Sequence, residues 1–289
     1  MSDIDLSEAS SPVLPTHHEA MEDAASAALI DRVISLHGIH NFRDYGGYAA
    51  RDGARLKAGV LFRSGQHKDA SADDLDAVAA LDLQTVIDLR GDTERRLYPC
   101  VRPAGFTGTT VFAAGETAGS AHLAPHEEAA QGVVTAVDAH ARMAALYTTM
   151  PFRPALVATL HLYFEALAAR DGASLIHCLA GKDRTGVAVA VFHDLMGVHA
   201  DDIMADYLLT NVAGNIERRI AAGAHAVRAT IAQAIDDEAV RTIMSVHPEY
   251  LTNAFAAIRA QHGSVARYAD AVLGVTAARR DQMAAQLLV

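Results

Sequence analysis

Ten consecutive residues, His177-Cys178-Leu179-Ala180-Gly181-Lys182-Asp183-Arg184-Thr185-Gly186, bring a thiol, a guanidinium, an ammonium and a carboxyl into one short stretch. They stand between the apolar run Ser174-Leu175-Ile176 and the apolar segment from Val187 to Met196. That pattern predicts a buried strand, a tight glycine-containing loop and a buried helix whose N-terminus faces the loop. A helix N-terminus presents open N–H groups and a partial positive charge, so such a loop is an anion site. A cysteine attacks only as its thiolate, and the loop amides, the helix end, Lys182 and Arg184 all favour that anion. A thiolate there can attack a phosphate monoester in line, giving a phosphocysteine that water then hydrolyses. Arg184 can grip two phosphate oxygens at once, a geometry no lysine reproduces. The Thr185 hydroxyl is placed to hydrogen-bond the Cys178 sulfur, and His177 to brace the loop through backbone contacts.

Other chemistries are weaker. An inert buried thiol needs no basic loop around it. A nucleotide P-loop is suggested by Gly181-Lys182, but it requires Ser or Thr after the lysine and Gly five residues before Gly181. Asp183 and Ile176 occupy those positions. Sulfur carriers and arsenate reductases also use a loop cysteine; Lys182-Asp183-Arg184-Thr185-Gly186 fits phosphate hydrolysis better.

His-Cys-x-x-Gly-Lys-Asp-Arg-Thr-Gly resembles the signature of the atypical bacterial protein-tyrosine phosphatases, which act on phosphoproteins and, in some members, on phosphoinositides. Further stretches resemble that family in the same order: Asn41-Phe42-Arg43-Asp44 with Gly46-Gly47, Phe62-Arg63-Ser64-Gly65, Val86-Ile87-Asp88-Leu89-Arg90 with Glu94-Arg95, Asp206 to Asn211, and Pro248-Glu249-Tyr250-Leu251. The resemblance spans roughly residues 31–289. It implies Cys178 as nucleophile, Arg184 as phosphate clamp and Asp183 as general acid, with Asp88 the second candidate for the acid. Ordinary tyrosine phosphatases carry their acid on a Trp-Pro-Asp loop, and this chain contains no Trp. Leu179, Ala180, Gly181, Lys182, Thr185 and Asp88 are the candidate substrate contacts. Lysines like Lys182 accompany phosphoinositide activity in the family. Residues 211–250 correspond to its helical lid.

Positioning this loop requires an α/β architecture. The strand candidates are Val33–Leu36, Val60–Phe62, Thr85–Ile87, Thr109–Phe112 and the run before Cys178. The segment Asn41–Tyr48 reads by itself as a tight turn with an Arg43–Asp44 contact. Ser71 caps a helix with acids in its first turn. Pro154 opens a helix striped by Leu156, Leu160, Tyr163, Phe164 and Leu167, and Gly197 ends the loop helix. The expected fold is a central sheet of about four to five mostly parallel strands flanked by helices, as in protein-tyrosine phosphatases, with a helical lid insertion and a helical C-terminal part. Residues 1–30 read as a flexible acidic leader and 31–289 as one phosphatase domain.

The chain has 24 Lys+Arg against 35 Asp+Glu, a formal charge of −11, which excludes a general nucleic-acid binder. Two cysteines, Cys100 and Cys178, make no disulfide framework and suggest a reducing compartment; Cys100 reads as a spare thiol or a redox partner for Cys178. Met1–Asp5 is acidic, unlike a signal peptide, and no apolar run reaches the roughly 18–20 residues of a membrane span. A cytoplasmic location is therefore expected. There are 15 histidines, yet no metal-binding spacing, so neither metal nor cofactor is expected. The partner is a phosphorylated protein or a phosphoinositide. Two other readings remain: a phosphatase specific for phosphoinositides, and a phospho-ligand-binding module without catalysis.

Overall fold

Short apolar runs that end in polar clusters build the centre of the sheet. The computed structural model describes residues 29–117, 128, 133, 135–169, 172–215 and 236–289. Strand β5 (Ala173–His177) is buried at every position. It lies parallel to β2 (Leu61–Ser64) on one side and to β3 (Leu83–Asp88) on the other. On the outside, β4 (Thr109–Val111) runs parallel to β3, while β1 (Arg43–Asp44) pairs antiparallel with β2. The order is β1-β2-β5-β3-β4. Strands this continuously apolar belong in a sheet covered on both faces.

Register decides where the polar clusters meet. His177 stands opposite both Ser64 and Asp88, so the loops after β2, β3 and β5 leave one edge together. Open α/β sheets place ligand sites at that carboxyl edge.

The helices follow from caps and stripes. α1 (Ala72–Ala79) begins at Ser71, whose hydroxyl accepts from Asp74 N–H while the Asp74 carboxylate returns to Ser71 N–H. α2 (Asp92–Leu97) follows β3, and α3 (Ala136–Thr149) starts on a Thr135 cap. α4 (Pro154–Ala168) buries the predicted stripe from Leu156 to Leu167. α5 (Asp183–Met196) stops at Gly197, whose φ of 77° is cheap only for glycine. α6 (Ala200–Leu208), α7 (Thr210–Ala213), α8 (Asp237–Met244), α9 (Pro248–His262), α10 (Val265–Leu273) and α11 (Ala277–Leu287) complete the described helices.

Two cores sandwich the sheet. Ile87, Leu89 and Ile176 pack with α4, α5 and the C-terminal helices, whereas Phe62, Val86 and Leu175 pack with Phe42 and Val78. Each large apolar side chain so buried contributes about 1.5–3 kcal/mol. None of the described helices is long and apolar enough to cross a membrane.

Local expectations fail where long-range partners intervene. Val33–Leu36 forms no strand beyond one bridge between Val33 and Arg43. Asp44 does not take Arg43; its carboxylate accepts the N–H groups of Gly46 and Gly59. Helix α2 was not foreseen, because six residues show no periodicity. The leader up to residue 28 and lid residues 216–235 lie outside the described residues; α7, α8 and the start of α9 are the described parts of the lid stretch.

Candidate active site

Cys178 follows β5 directly and is only 2% exposed. The chain then turns through Gly181, at φ 63°, into α5. A side chain at Gly181 would place its Cβ 2.4 Å from the Ser64 carbonyl carbon, so only glycine lets the loop lie against the end of β2. The backbone N–H groups of Leu179, Ala180, Gly181, Asp183, Arg184 and Thr185 donate to no other backbone carbonyl among the described residues. They form the donor set of an anion cradle.

A buried ionic cluster holds this loop from beneath. Asp206 on α6 takes Arg43 Nε at 3.1 Å and Arg63 Nη1 at 2.6 Å. Arg63 Nη2 donates to the Gly181 carbonyl at 3.0 Å, and Asn41 Nδ2 donates to the same oxygen at 2.7 Å. Asn41 adopts φ 60°, which asparagine tolerates better than most residues, and its Oδ1 receives Arg43 Nη1. Burial would raise the Asp206 carboxyl, but Arg43 and Arg63 outweigh it and hold the group well below the usual range. Burial and the nearby Arg63 lower Arg43 to about 10, so it remains a cation at neutral pH. Three stretches distant in sequence thus meet in one job: turning the loop carbonyls inward so that its amides face out.

Arg184 is positioned from the other side. Glu94 on α2 receives Arg184 Nη1 on one oxygen and Nη2 at 2.7 Å on the other. Thr117 Oγ1 lies 2.6 Å from Nη1. Burial alone would lower Arg184, but the Glu94 carboxylate raises it, so the cation is kept. Nε is buried without a hydrogen-bond partner among the described residues, as is Thr185 Oγ1. The expected bond from Thr185 to the Cys178 sulfur is therefore not formed here. With Glu94 on the far end of the guanidinium, the Nε edge remains a donor for an oxyanion.

Asp183 and Lys182 sit at the start of α5, both buried. Tyr147 on α3 donates to Asp183 Oδ1 at 2.8 Å, and Tyr207 donates to Tyr147 at 2.9 Å. Lys182 Nζ lies 3.3 Å from Asp183 and donates to the carbonyls of Ile243 at 2.5 Å and Ser245 at 3.2 Å. The lysine ties the loop to the end of α8, a contact that sequence reasoning missed.

Asp88 belongs to a separate cluster. Arg90 grips both its oxygens, at 2.9 and 2.7 Å, and His177 Nε2 lies 3.8 Å away. Burial would raise the Asp88 carboxyl, yet His177 and Arg90 hold it well below the usual carboxylate range. His177 Nδ1 reaches the Cys178 carbonyl at 3.3 Å, the backbone brace expected of it. Burial drives His177 down to about 4. An unfolded histidine titrates near 6.5, so between those values the unfolded chain binds more protons. Stability is therefore expected to fall as pH drops from about 6.5 toward 4, and buried His67, shifted the same way, adds to it. Thermal melts between roughly pH 7.5 and 5 check this; a flat melting temperature would contradict it. Cys100 accepts His67 N–H at 3.3 Å and, like Cys178, is a free thiol.

Glu94, Arg63, Asp206 and Tyr147 received no role from the sequence. Arg63, Glu94 and Asp206 carried one usable signal, their place in stretches that resemble the family, and Tyr147 carried none.

The strand–loop–helix arrangement with its buried arginine can hold a phosphate group, and comparison with known proteins gives the family. Residues 34–289 match the tyrosine phosphatase family. The chain belongs to that family and is a phosphoric monoester hydrolase of the tyrosine phosphatase class. It is 31% identical over 270 residues, 91% of this chain and 92% of the relative, to the "Putative tyrosine-protein phosphatase" of Cupriavidus necator. It is 30% identical over 253 residues, 81% of this chain and 87% of the relative, to the triple specificity protein phosphatase PtpB of Mycobacterium tuberculosis. A shorter match, 46% over 48 residues and 16% of each chain, links it to a tyrosine-protein phosphatase of Nostoc commune.

Proposed function

We propose that this protein hydrolyses phosphotyrosine, and also phosphoserine/threonine and phosphoinositides, through a phosphocysteine on Cys178. The observation that carries this reading is a buried arginine clamped end-on by Glu94, with its Nε unengaged, in the same turn as a thiol and a row of open amides. The Cys178 thiolate attacks phosphorus, and the bond from phosphorus to the ester oxygen breaks. Arg184 Nε and the loop amides hold the three equatorial oxygens, whose charge they stabilise more in the transition state than in the ground state. Asp183 gives its proton to the leaving oxygen, then takes one from the water that attacks the phosphocysteine and releases the thiolate. Asp183 rather than Asp88 takes this role because Arg90 keeps Asp88 ionised and occupied on both oxygens. Thr185 Oγ1, unengaged here, is the donor to the departing sulfur.

The broad substrate range is supported by the resemblance of the relative named for triple specificity. Residues 31–289 act as the single catalytic unit. A panel of phosphotyrosine, phosphoserine and phosphoinositide substrates, without added metal, tests the range with wild type and Cys178→Ser. We expect wild type to hydrolyse the panel and the serine variant to lose at least about 1,000-fold, since removing a nucleophile leaves only binding and electrostatics. Full activity in Cys178→Ser would exclude the thiolate mechanism. An inactive wild type that binds phosphopeptide would establish a binding module instead.

A further inference from the structure

Asp183 has two carboxyl oxygens, and their surroundings differ. Oδ1 receives the Tyr147 hydroxyl at 2.8 Å, and Lys182 Nζ lies 3.3 Å from the same atom. Oδ2 has no hydrogen-bond partner among the described residues and, unlike Arg184 Nε, is not cut off from solvent. A carboxyl oxygen that already faces a donor cannot also carry the acid proton, because two hydrogens would then oppose each other. The proton of Asp183 therefore belongs on Oδ2.

Tyr147 is held to this single task. It projects from α3 and is fully buried. Its ring packs against Tyr207 and Tyr250, with centroids 6.3 and 5.4 Å away. Its oxygen accepts the Tyr207 hydroxyl at 2.9 Å, which leaves its own hydrogen for Asp183. Burial and the Asp183 charge push the Tyr147 hydroxyl well above the usual tyrosine range, so it stays a donor. Tyr207 lies in turn against the signature helix: a Cβ on Gly186 would stand 3.0 Å from its ring. Tyr207 also follows Asp206 on α6, so adjacent residues brace the loop and the acid.

We propose that Tyr147 is the positioning residue of the general acid, holding Asp183 Oδ1 so that Oδ2 carries the proton to the leaving oxygen. This rests on Asp183 as the acid, the role assigned above. In the transfer the Oδ2–H bond breaks, and the leaving oxygen takes the proton as its bond to phosphorus breaks. The charge left on the carboxylate is met at Oδ1 by Tyr147 and Lys182. Tyr147 keeps its own proton throughout, and Tyr207 acts only through Tyr147.

The test compares kcat/KM, which reads phosphocysteine formation, for phenyl phosphate and dinitrophenyl phosphate, with each enzyme at its pH optimum. Phenolate leaves poorly without a proton, whereas dinitrophenolate leaves well without one. Tyr147→Phe keeps the ring and removes only the hydroxyl. It is expected to lower kcat/KM for phenyl phosphate by at least about tenfold, and for dinitrophenyl phosphate by less than about threefold. Tyr207→Phe should show the same selectivity with a smaller loss. In an Asp183→Asn background Tyr147→Phe should add nothing, because both act on one step. Equal losses on the two substrates would overturn the proposal and leave Tyr147 a purely structural residue. So would an unchanged kcat/KM for phenyl phosphate. Asp183→Asn separates that failure from a failure of the reading beneath it. If Asp183→Asn loses at least about 100-fold on phenyl phosphate alone while Tyr147→Phe is unselective, only the positioning role falls. If Asp183→Asn is itself unselective, both fall.

Discussion

Replacing Glu94 with alanine is expected to lower kcat by about 100-fold or more and to cost about 3–5 kcal/mol of stability. Arg184 is buried at 1% exposure, and Glu94 is its bidentate carboxylate partner. Removing that partner leaves a desolvated cation whose remaining side-chain hydrogen bonds among the described residues go to the Thr117 hydroxyl and the Leu89 carbonyl, 2.6 and 3.4 Å from Nη1, with the charges of Cys178 and Asp183 nearby. The guanidinium then swings, and an error of about 1 Å in a phosphate clamp is enough for the loss in rate. Glu94→Gln tells charge from shape: it retains an acceptor and should fall between wild type and alanine in both measurements. Urea denaturation and aryl phosphate kinetics on the same preparations check the pair. Wild-type kinetics in Glu94→Ala would mean that Arg184 needs no positioning, or does not bind the substrate.

The second large effect is expected at Asp206. Its carboxylate lies between Arg43 and Arg63, all three buried, and both arginines depend on it. Asp206→Ala strands two cations and should cost about 3–5 kcal/mol. The damage is also directional. Arg63 and Asn41 hold the Gly181 carbonyl, so losing the cluster frees the loop to rotate that oxygen toward the phosphate, where it repels. Activity should therefore fall even at temperatures where the variant is still folded. Asp206→Asn keeps the shape and one acceptor and should recover part of the stability. Far-ultraviolet melts with kinetics well below the midpoint separate the two effects. A folded Asp206→Ala enzyme with normal kcat/KM would show that the cluster stabilises the fold without shaping the loop.

The contrast between these residues and the signature loop shows what a sequence reveals. His177 to Gly186 are neighbours in the chain, so strand, turn, helix start and reactive groups can all be read together, and the structure has that strand–loop–helix order. Caps behave likewise: Ser71 and Asp74 are three residues apart, and their reciprocal bonds form as the local pattern predicts. Arg43 and Asp206 are separated by 163 residues, and Arg184 and Glu94 by 90. No periodicity or spacing links such pairs; only the folded register of the sheet does. That is why Arg43 seemed to belong to its neighbour Asp44, and why Glu94 had no assigned role. Lys182 illustrates the same limit in the loop itself. A lysine next to a phosphate clamp invites a substrate contact, but its ammonium meets the carbonyls of Ile243 and Ser245, which only tertiary packing brings near.

The central claim is that Cys178 carries the phosphoryl group between substrate and water. Rapid acid quench of wild-type enzyme during turnover of a phosphotyrosine peptide, followed by peptide mass mapping, tests it directly. The account predicts one phosphoryl group on the peptide containing Cys178, on sulfur, decaying at the rate of turnover and absent from Cys178→Ser. Turnover at full speed with no phosphorylated cysteine, or with the phosphoryl group on another residue, would contradict it.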